Sequence, residues 1–125
     1  MRASGPKKIV LVDDMASVLM MVKEFLESSG FFVKAFDDPN AALHEVMTAG
    51  ADVVISDFNM PSMDGIQLLA AIKATHPGMQ CILMTGNIKE LPEMSLKIVL
   101  VDKSHDFLDS LIREVYAGEY EETQD

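Results

Sequence analysis

The sequence predicts an α/β fold in which a doubly wound, five-stranded parallel sheet forms the centre of a three-layer sandwich. Short runs rich in β-branched residues alternate along the chain with segments of helical apolar spacing. The first run, at 8–13, shows no alternation of polarity, as expected for a parallel strand covered on both faces. The 125 residues fit one domain, predicted at 7–117 between an N-terminal tail at 1–6 and an acidic C-terminal tail at 118–125.

The first half of the chain contains two strand–helix units. The run at 8–13 is followed at 15–30 by residues with helical spacing, which end at a glycine. The stripe of this helix predicted to face the sheet consists of Val18, Val22, Phe25 and Leu26. The second unit is a strand at 31–36 and a helix at 37–50, where Asp38 precedes a proline at the first helical position.

The second half continues the alternation. A strand at 52–57 leads to a helix at 63–78, which closes with a His-Pro-Gly sequence. Further strands are predicted at 79–85 and 96–102, and an amphipathic helix at 104–118 ends the domain.

The connection between the last two strands is short for a loop and a full helix. Pro92 lies in its middle, and proline in a helix interior removes a hydrogen bond and clashes with the preceding turn. The fourth of the five predicted helices is therefore expected to be one or two turns long, or irregular.

Composition excludes several classes of function. The formal net charge is −10, with 20 acidic and 10 basic residues, so direct nucleic-acid binding is not expected. No apolar stretch approaches the ~20 residues of a membrane span and no signal segment is evident, so a cytoplasmic location is expected. The single cysteine, Cys81, lies in an apolar run, which predicts a buried and unreactive thiol.

Polar residues collect at the carboxyl ends of four predicted strands, where ligands bind in this class of sheet. They are Asp13 and Asp14 at the first strand, Asp57 at the third, Thr85 and Gly86 at the fourth, and Lys103 at the fifth. Carboxylates packed together repel one another, and a hard divalent cation such as Mg²⁺ relieves that repulsion. The sequence therefore predicts a metal and phosphate site at this edge.

Each of these residues also has an ordinary explanation when it is taken singly. Asp13 and Asp14 fit an acidic pair at a helix start, where the helix dipole favours negative charge. Thr85 alone is an ordinary strand end, and Lys103 alone is most simply a solvated lysine. Their joint placement at one edge favours a shared site over coincidence.

Four short strings carry a resemblance to a known family. LVDD, DFNMPSMDG, MTG and VDKS resemble the receiver domain of two-component response regulators, over about residues 7–117. The resemblance implies a flavodoxin-like receiver fold and a Mg²⁺-dependent phosphorelay switch, which is not an enzyme beyond self-dephosphorylation. It also implies two partners, namely a histidine kinase or histidine phosphotransfer protein and a downstream protein target.

The resemblance implies roles for the matched acidic positions. Asp57 would accept a phosphoryl group from a partner phosphohistidine. Asp13, Asp14 and the Asp57 carboxylate would hold Mg²⁺, together with the backbone carbonyl of Asn59. These residue types suit phosphoryl transfer, which requires in-line positioning and neutralisation of the phosphoryl oxygens.

Further roles follow at the last two strands, where the sequence also departs from the family. The resemblance implies that Thr85 bonds a phosphoryl oxygen, that Gly86 leaves room beside it, and that Lys103 pairs with the acceptor and then with the phosphoryl charge. Ser104 stands where the family usually has proline, and a cis bond before a non-proline residue costs ~2.5–4 kcal/mol. Leu100 stands where the family usually has an aromatic ring that reports phosphorylation, so switching is expected to differ here.

Two rival functions differ in class from a phosphorylated switch. A phosphorylation-independent protein-binding module is the alternative that the altered Leu100 and Ser104 favour. An aspartate-nucleophile phosphatase of the haloacid-dehalogenase type needs a second aspartate two residues after the nucleophile. Asn59 occupies that position and no cap domain is evident, which disfavours this enzyme.

Leu19 and Met20 fall off the predicted sheet-facing stripe of the first helix, close to the acidic edge. Single exposed apolar residues are normal on protein surfaces, so one interpretation is incidental exposure, or packing under the terminal helix. The other is a small apolar patch on which the phosphodonor protein docks.

Overall fold

The computed structural model describes residues 6–92, 96–104 and 106–124, with side chains described up to residue 117 except that of Glu90. Its five strands form one parallel sheet in the order β2-β1-β3-β4-β5. The strands are β1 Lys8–Val12, β2 Phe32–Phe36, β3 Val53–Asp57, β4 Gln80–Thr85 and β5 Val99–Asp102. The helices are α1 Ala16–Ser28, α2 Pro39–Ala49, α3 Gly65–Thr75 and α4 Phe107–Gln124. This architecture confirms the predicted fold class, while all but one residue of the predicted tail at 1–6 lies outside the described residues.

Two apolar cores cover the two faces of the sheet. Alternate residues of β1 point to opposite faces, so Ile9 and Leu11 join one core and Val10 and Val12 join the other. Helices α1 and α4 cover the first core, and α2 and α3 cover the second. Each fully buried aliphatic side chain contributes roughly 1.5–3 kcal/mol, which makes this double burial the main stabilisation of the three-layer fold.

The helix starts follow from capping residues in the sequence. The Asp38 side chain accepts a hydrogen bond from the backbone N–H of Asn40, with Pro39 as the first residue of α2, as predicted. At α3 a capping box forms, because the Asp64 side chain accepts from the N–H of Gln67 and the Gln67 side chain accepts from the N–H of Asp64. This box starts α3 at residue 65, two residues after the predicted start.

The predicted buried stripe of α1 requires a correction. Leu19, placed outside the predicted sheet-facing stripe, is 8% exposed and belongs to the core with Val22 and Leu26, as the alternative of packing under the terminal helix predicted, whereas Val18 and Phe25 are only half-buried. The centre of the buried stripe is thus rotated by roughly 50° from the predicted one, at 100° per residue. The physical reason is that α1 packs against α4 as well as against the sheet, which widens and shifts its covered face.

The connection from β4 to β5 is irregular, as predicted from Pro92. Among the residues described there, the one helical segment is a three-residue 3-10 turn, Ile88–Glu90. Helix α4, in contrast, continues to Gln124, beyond its predicted end at residue 118. No proline and no further glycine follows in this acidic stretch to interrupt the helical backbone.

The hexapeptide KIVLVD occurs twice in the chain, at 8–13 and at 97–102. The first copy forms β1 between two neighbouring strands, and its four core residues are fully buried. The second copy forms the edge strand β5, where Val99 and Leu100 are 36% and 37% exposed. Identical residues therefore form a core strand in one place and a half-covered edge strand in another.

The buried thiol predicted for the single cysteine is confirmed. Cys81 lies in β4 within the second core, and burial raises its thiol pKa to about 11. In addition, none of the helices in the described part of the chain is long and apolar enough to cross a membrane.

We expect Gly65→Ala to destabilise the fold by about 1–3 kcal/mol, the usual cost of overpacking. A Cβ atom on Gly65 would overlap the backbone carbonyl of Asp57 and the side chain of Leu83. The free-energy cost of this overlap exceeds the ~1 kcal/mol that alanine gains over glycine in helix propensity. Urea unfolding followed by circular dichroism measures the change.

Gly78→Ala is the matched control, because no atom lies within 4 Å of a Cβ placed at Gly78. Its stability should stay within about 0.5 kcal/mol of the wild type. Equal stability of the Gly65 and Gly78 variants would show that the close packing of α3 on β3 is not required.

Candidate active-site edge

The residues predicted for the site meet at the carboxyl edge of the sheet. Hydrogen bonds beyond the regular strands hold them there, since the N–H of Asp13 donates to the carbonyl of Phe36 at 3.1 Å. Similarly, the N–H of Lys103 donates to the carbonyl of Thr85 at 2.8 Å. The site residues are therefore extensions of a hydrogen-bonded sheet, and their backbones share its rigidity.

Lys103 joins two acidic residues that come from different strands. Its Nζ atom lies 2.6 Å from Oδ1 of Asp57 and 3.2 Å from Oδ2 of Asp13. The side chain of Asp13 is 1% exposed and that of Asp57 is 11% exposed, whereas that of Lys103 is 22% exposed. The ammonium thus bridges two carboxylates that are almost withdrawn from water.

Burial, hydrogen bonds and nearby charges act against one another on the pKa values of Asp57 and Lys103. Burial raises the pKa of Asp57, the hydrogen bond from Lys103 lowers it, and the nearby charge of Asp13 raises it further, so that the net pKa is raised. Burial alone would lower the pKa of Lys103, but its hydrogen bond and charge interaction with Asp57 outweigh burial and raise it. The charged form of Lys103 is therefore favoured, while the ionised form of Asp57 is less favourable than that of an ordinary aspartate.

Three carboxylates lie close enough together to hold one hard cation. One oxygen each of Asp13, Asp14 and Asp57 lies within 4.8 Å of the others. The orientation of the Asp13 carboxylate is fixed locally, because its Oδ1 atom accepts the N–H of Met15 at 3.0 Å. Oxygen donors of this number and charge fit Mg²⁺, which is usually held by one or two carboxylates with water and phosphate completing its shell.

The end of β4 presents a hydroxyl and an open position. Thr85 is 2% exposed, and its hydroxyl oxygen accepts the N–H of Asn87 at 3.2 Å. A Cβ placed on the exposed Gly86 would meet no atom within 4 Å, so the space beside Thr85 is open. Leu100 is partly exposed on the edge strand, and the Lys103–Ser104 peptide bond is trans, as are all described peptide bonds.

Two residues that contact the backbone of Asp57 were missed by sequence reasoning. The hydroxyl of Ser56 donates to the carbonyl oxygen of Asp57 at 2.9 Å. Gly65 packs so tightly on the same carbonyl that no side chain fits there. The glycine in the string DFNMPSMDG was a signal for close backbone approach, whereas nothing in the sequence distinguishes Ser56 from an ordinary strand residue.

Comparisons with known proteins agree with this geometry. The family model for the response regulator receiver domain matches residues 9–110. The transcriptional regulator NtrC of Klebsiella pneumoniae is 36% identical over 62% of this chain and 16% of its own length. The C4-dicarboxylate transport regulatory protein DctD of Rhizobium meliloti is 33% identical over 84% of this chain and 22% of its own length. The chain thus spans less than a quarter of either relative.

A solved structure shares both fold and topology. The response regulator TrrA of Thermotoga maritima is 26% identical and superimposes with a TM-score of 0.82, covering 90% of this chain and 98% of its own. That structure is a complex with Mg²⁺–BeF. The comparisons give no support to a phosphorylation-independent binding module.

We expect Asp57→Asn to raise the free energy of unfolding at pH 7 in the presence of EDTA. The raised pKa means that the folded protein accommodates the ionised Asp57 less well than the unfolded chain does, so stability falls as pH rises through the folded-state pKa. Asparagine carries no charge and avoids this loss. The difference should therefore disappear below the ordinary carboxyl pKa of 3.8.

Urea titrations of both proteins between pH 7 and pH 3 measure this difference. The exposed Asp109→Asn variant is the charge-matched control and should stay within about 0.5 kcal/mol of the wild type. An Asp57→Asn variant no more stable than the control at pH 7 would contradict the electrostatic account.

Proposed function

The chain belongs to the response regulator receiver domain family, and we propose that Asp57 is the residue that accepts the phosphoryl group in its two-component switch. One observation carries this assignment: Asp57 ends a central strand with its carboxylate 2.6 Å from Lys103 and within 4.8 Å of carboxylate oxygens of Asp13 and Asp14. The backbone of a buried strand cannot move away from an incoming phosphoryl group, which favours in-line attack.

The transfer step balances without an added oxidant or reductant. A carboxylate oxygen of Asp57 forms a bond to phosphorus as the bond between phosphorus and the imidazole nitrogen of the donor breaks. The electron pair of that bond leaves with the imidazole, and the product is an aspartyl phosphate. Positioning and charge neutralisation are the contributions that phosphoryl transfer requires from the protein.

Charge neutralisation comes from both sides of Asp57. Asp13, Asp14 and Asp57, with the backbone carbonyl of Asn59, would hold Mg²⁺, which would supply positive charge at the phosphoryl oxygens. Lys103 supplies a second positive charge and exchanges its contact with the carboxylate for one with the phosphoryl group.

The hydroxyl of Thr85 donates to a phosphoryl oxygen and still accepts the N–H of Asn87. These two hydrogen bonds connect the phosphoryl group to the loop after β4. The open space at Gly86 admits the phosphoryl group. Leu100 and Ser104 replace the usual ring and proline of the family, so the response is carried by this loop rather than by an aromatic side chain of β5.

The donor in this proposal is a phosphohistidine on a histidine kinase or a histidine phosphotransfer protein. The phosphorylated chain then acts on a downstream protein and returns to its resting state by hydrolysis of the aspartyl phosphate. No separate substrate is turned over, which distinguishes the switch from a phosphatase.

The donor protein must cover the rim beside Asp57 to bring its phosphohistidine within bonding distance. Leu19 is buried and is withdrawn from the predicted docking patch. Met20 remains, at 52% exposed, together with Met21 at 44% and Met15 at 58%. These three methionines lie in or before the first turns of α1, which start at the acidic edge, and flexible thioether side chains adapt readily to a partner surface.

We expect Asp57→Asn to lose the acid-labile phosphoryl adduct that wild type forms with acetyl phosphate and Mg²⁺. Intact mass measures the adduct, and treatment with hydroxylamine, which cleaves acyl phosphates, identifies it as an aspartyl phosphate.

Asp14→Ala should weaken Mg²⁺ binding and labelling together, and EDTA should abolish labelling. Wild-type levels of a hydroxylamine-sensitive adduct in Asp57→Asn would overturn the assignment, and normal labelling in EDTA would overturn the metal role.

We expect Met20→Lys to slow phosphotransfer from the cognate phosphodonor protein by about tenfold, since one buried apolar side chain contributes roughly 1.5–3 kcal/mol before entropic losses. Labelling by acetyl phosphate should be unchanged, because this small donor needs no docking surface. Met47→Lys is the matched control, because Met47 is an exposed methionine near the C-terminal end of another helix, α2. Equal rates for the two variants would remove the docking claim, and equal loss with both donors would indicate damage to the site.

A further inference from the structure

The backbone carbonyl of Asp57 is held from two sides. The hydroxyl of Ser56 donates to it at 2.9 Å, and Gly65, at the start of α3, packs against the same oxygen. The next peptide is held as well, since the N–H of Phe58 donates to the carbonyl of Met84 at 2.9 Å and the carbonyl of Phe58 accepts the N–H of Gly65 at 2.8 Å. The chain leaves the sheet here with its peptide planes fixed.

The hydroxyl of Ser56 is not required for packing. Ser56 is fully buried, and its register partners on both sides are the buried apolar residues Val12 and Leu83. An apolar residue would suit this place, because burying a hydroxyl is unfavourable unless it is hydrogen-bonded. The hydroxyl donates to the acceptor residue itself, and no buried polar side-chain atom among the described residues lacks a partner.

We infer that Ser56 is a positioning residue for phosphoryl transfer, acting through the carbonyl of Asp57 and resting on the proposed role of Asp57 as acceptor. Its hydrogen bond fixes the peptide that joins Asp57 to Phe58. This peptide sets both the direction of the acceptor carboxylate and the start of the loop that carries Asn59. Ser56 touches neither the phosphoryl group nor a metal ligand atom of a side chain.

The expected effect falls on the labelling rate at saturation and not on binding of the phosphodonor. Reacting groups must lie within a narrow geometry, and a displacement near 1 Å can cost up to about 10²-fold in rate. Loss of one hydrogen bond tilts a peptide without displacing the carboxylates of Asp13 and Asp14. We therefore expect Ser56→Ala to lower the labelling rate at saturating acetyl phosphate and Mg²⁺ by about tenfold, with the half-saturating donor concentration unchanged.

Three further variants separate the hydroxyl from volume and stability. Ser56→Thr keeps the hydroxyl and should restore the rate, whereas Ser56→Cys keeps the volume with a weak donor and should remain slow. Val46→Ala opens a cavity in the same core, far from the site, and serves as a control for lost stability. A slow Ser56→Ala beside a normal Val46→Ala would exclude a purely structural effect.

The outcomes distinguish this inference from the proposed function. A wild-type protein that acquires no hydroxylamine-sensitive adduct would refute the acceptor role of Asp57. Equal labelling rates for the wild type and Ser56→Ala would overturn the role of Ser56 alone. A Ser56→Thr variant that is labelled as slowly as Ser56→Cys would do the same. If Ser56→Ala does not fold, the Thr and Cys variants decide the question.

Discussion

The structure depends on one electrostatic constraint: a carboxylate at the end of a buried strand has to remain ionised beside a second buried carboxylate. Burial and like charge both oppose the ionised form of Asp57. The ammonium of Lys103 counters them by reaching Asp57 and Asp13 together. Because β4 lies between β3, which carries Asp57, and β5, these contacts form only when β1, β3, β4 and β5 are assembled in order.

The other side of Asp57 is held by neutral contacts. Ser56 and Gly65 fix its carbonyl, and the capping box at Asp64 fixes the start of α3, so the loop between them begins and ends at defined points. Charges therefore determine the protonation and pairing of the side chain, while the backbone contacts determine its direction. Phosphoryl transfer needs both, since attack must be in line and the developing charge must be neutralised.

The β4–β5 connection has more freedom. Its described helical content is one 3-10 turn, and the adjoining strand carries partly exposed apolar residues. Elements with few buried contacts open at low free-energy cost, which suits a segment that must respond to a new charge. The hydroxyl of Thr85 connects this loop to the acidic edge by accepting the N–H of Asn87.

Sequence patterns alone predicted the element types, the fold class and the six residues that meet at the carboxyl edge. The reason is that β-branched runs, caps and strand-end polar residues are local signals. Tertiary structure decided which identical segment is buried: KIVLVD at 8–13 gains two neighbouring strands, whereas KIVLVD at 97–102 gains one. It likewise buried Leu19, since α4 packs against α1 from a distant part of the chain. The contact of Gly65 with the carbonyl of Asp57 also depends on where α3 returns to the sheet. Burial and contact are set by partners remote in sequence, and a local pattern does not specify them.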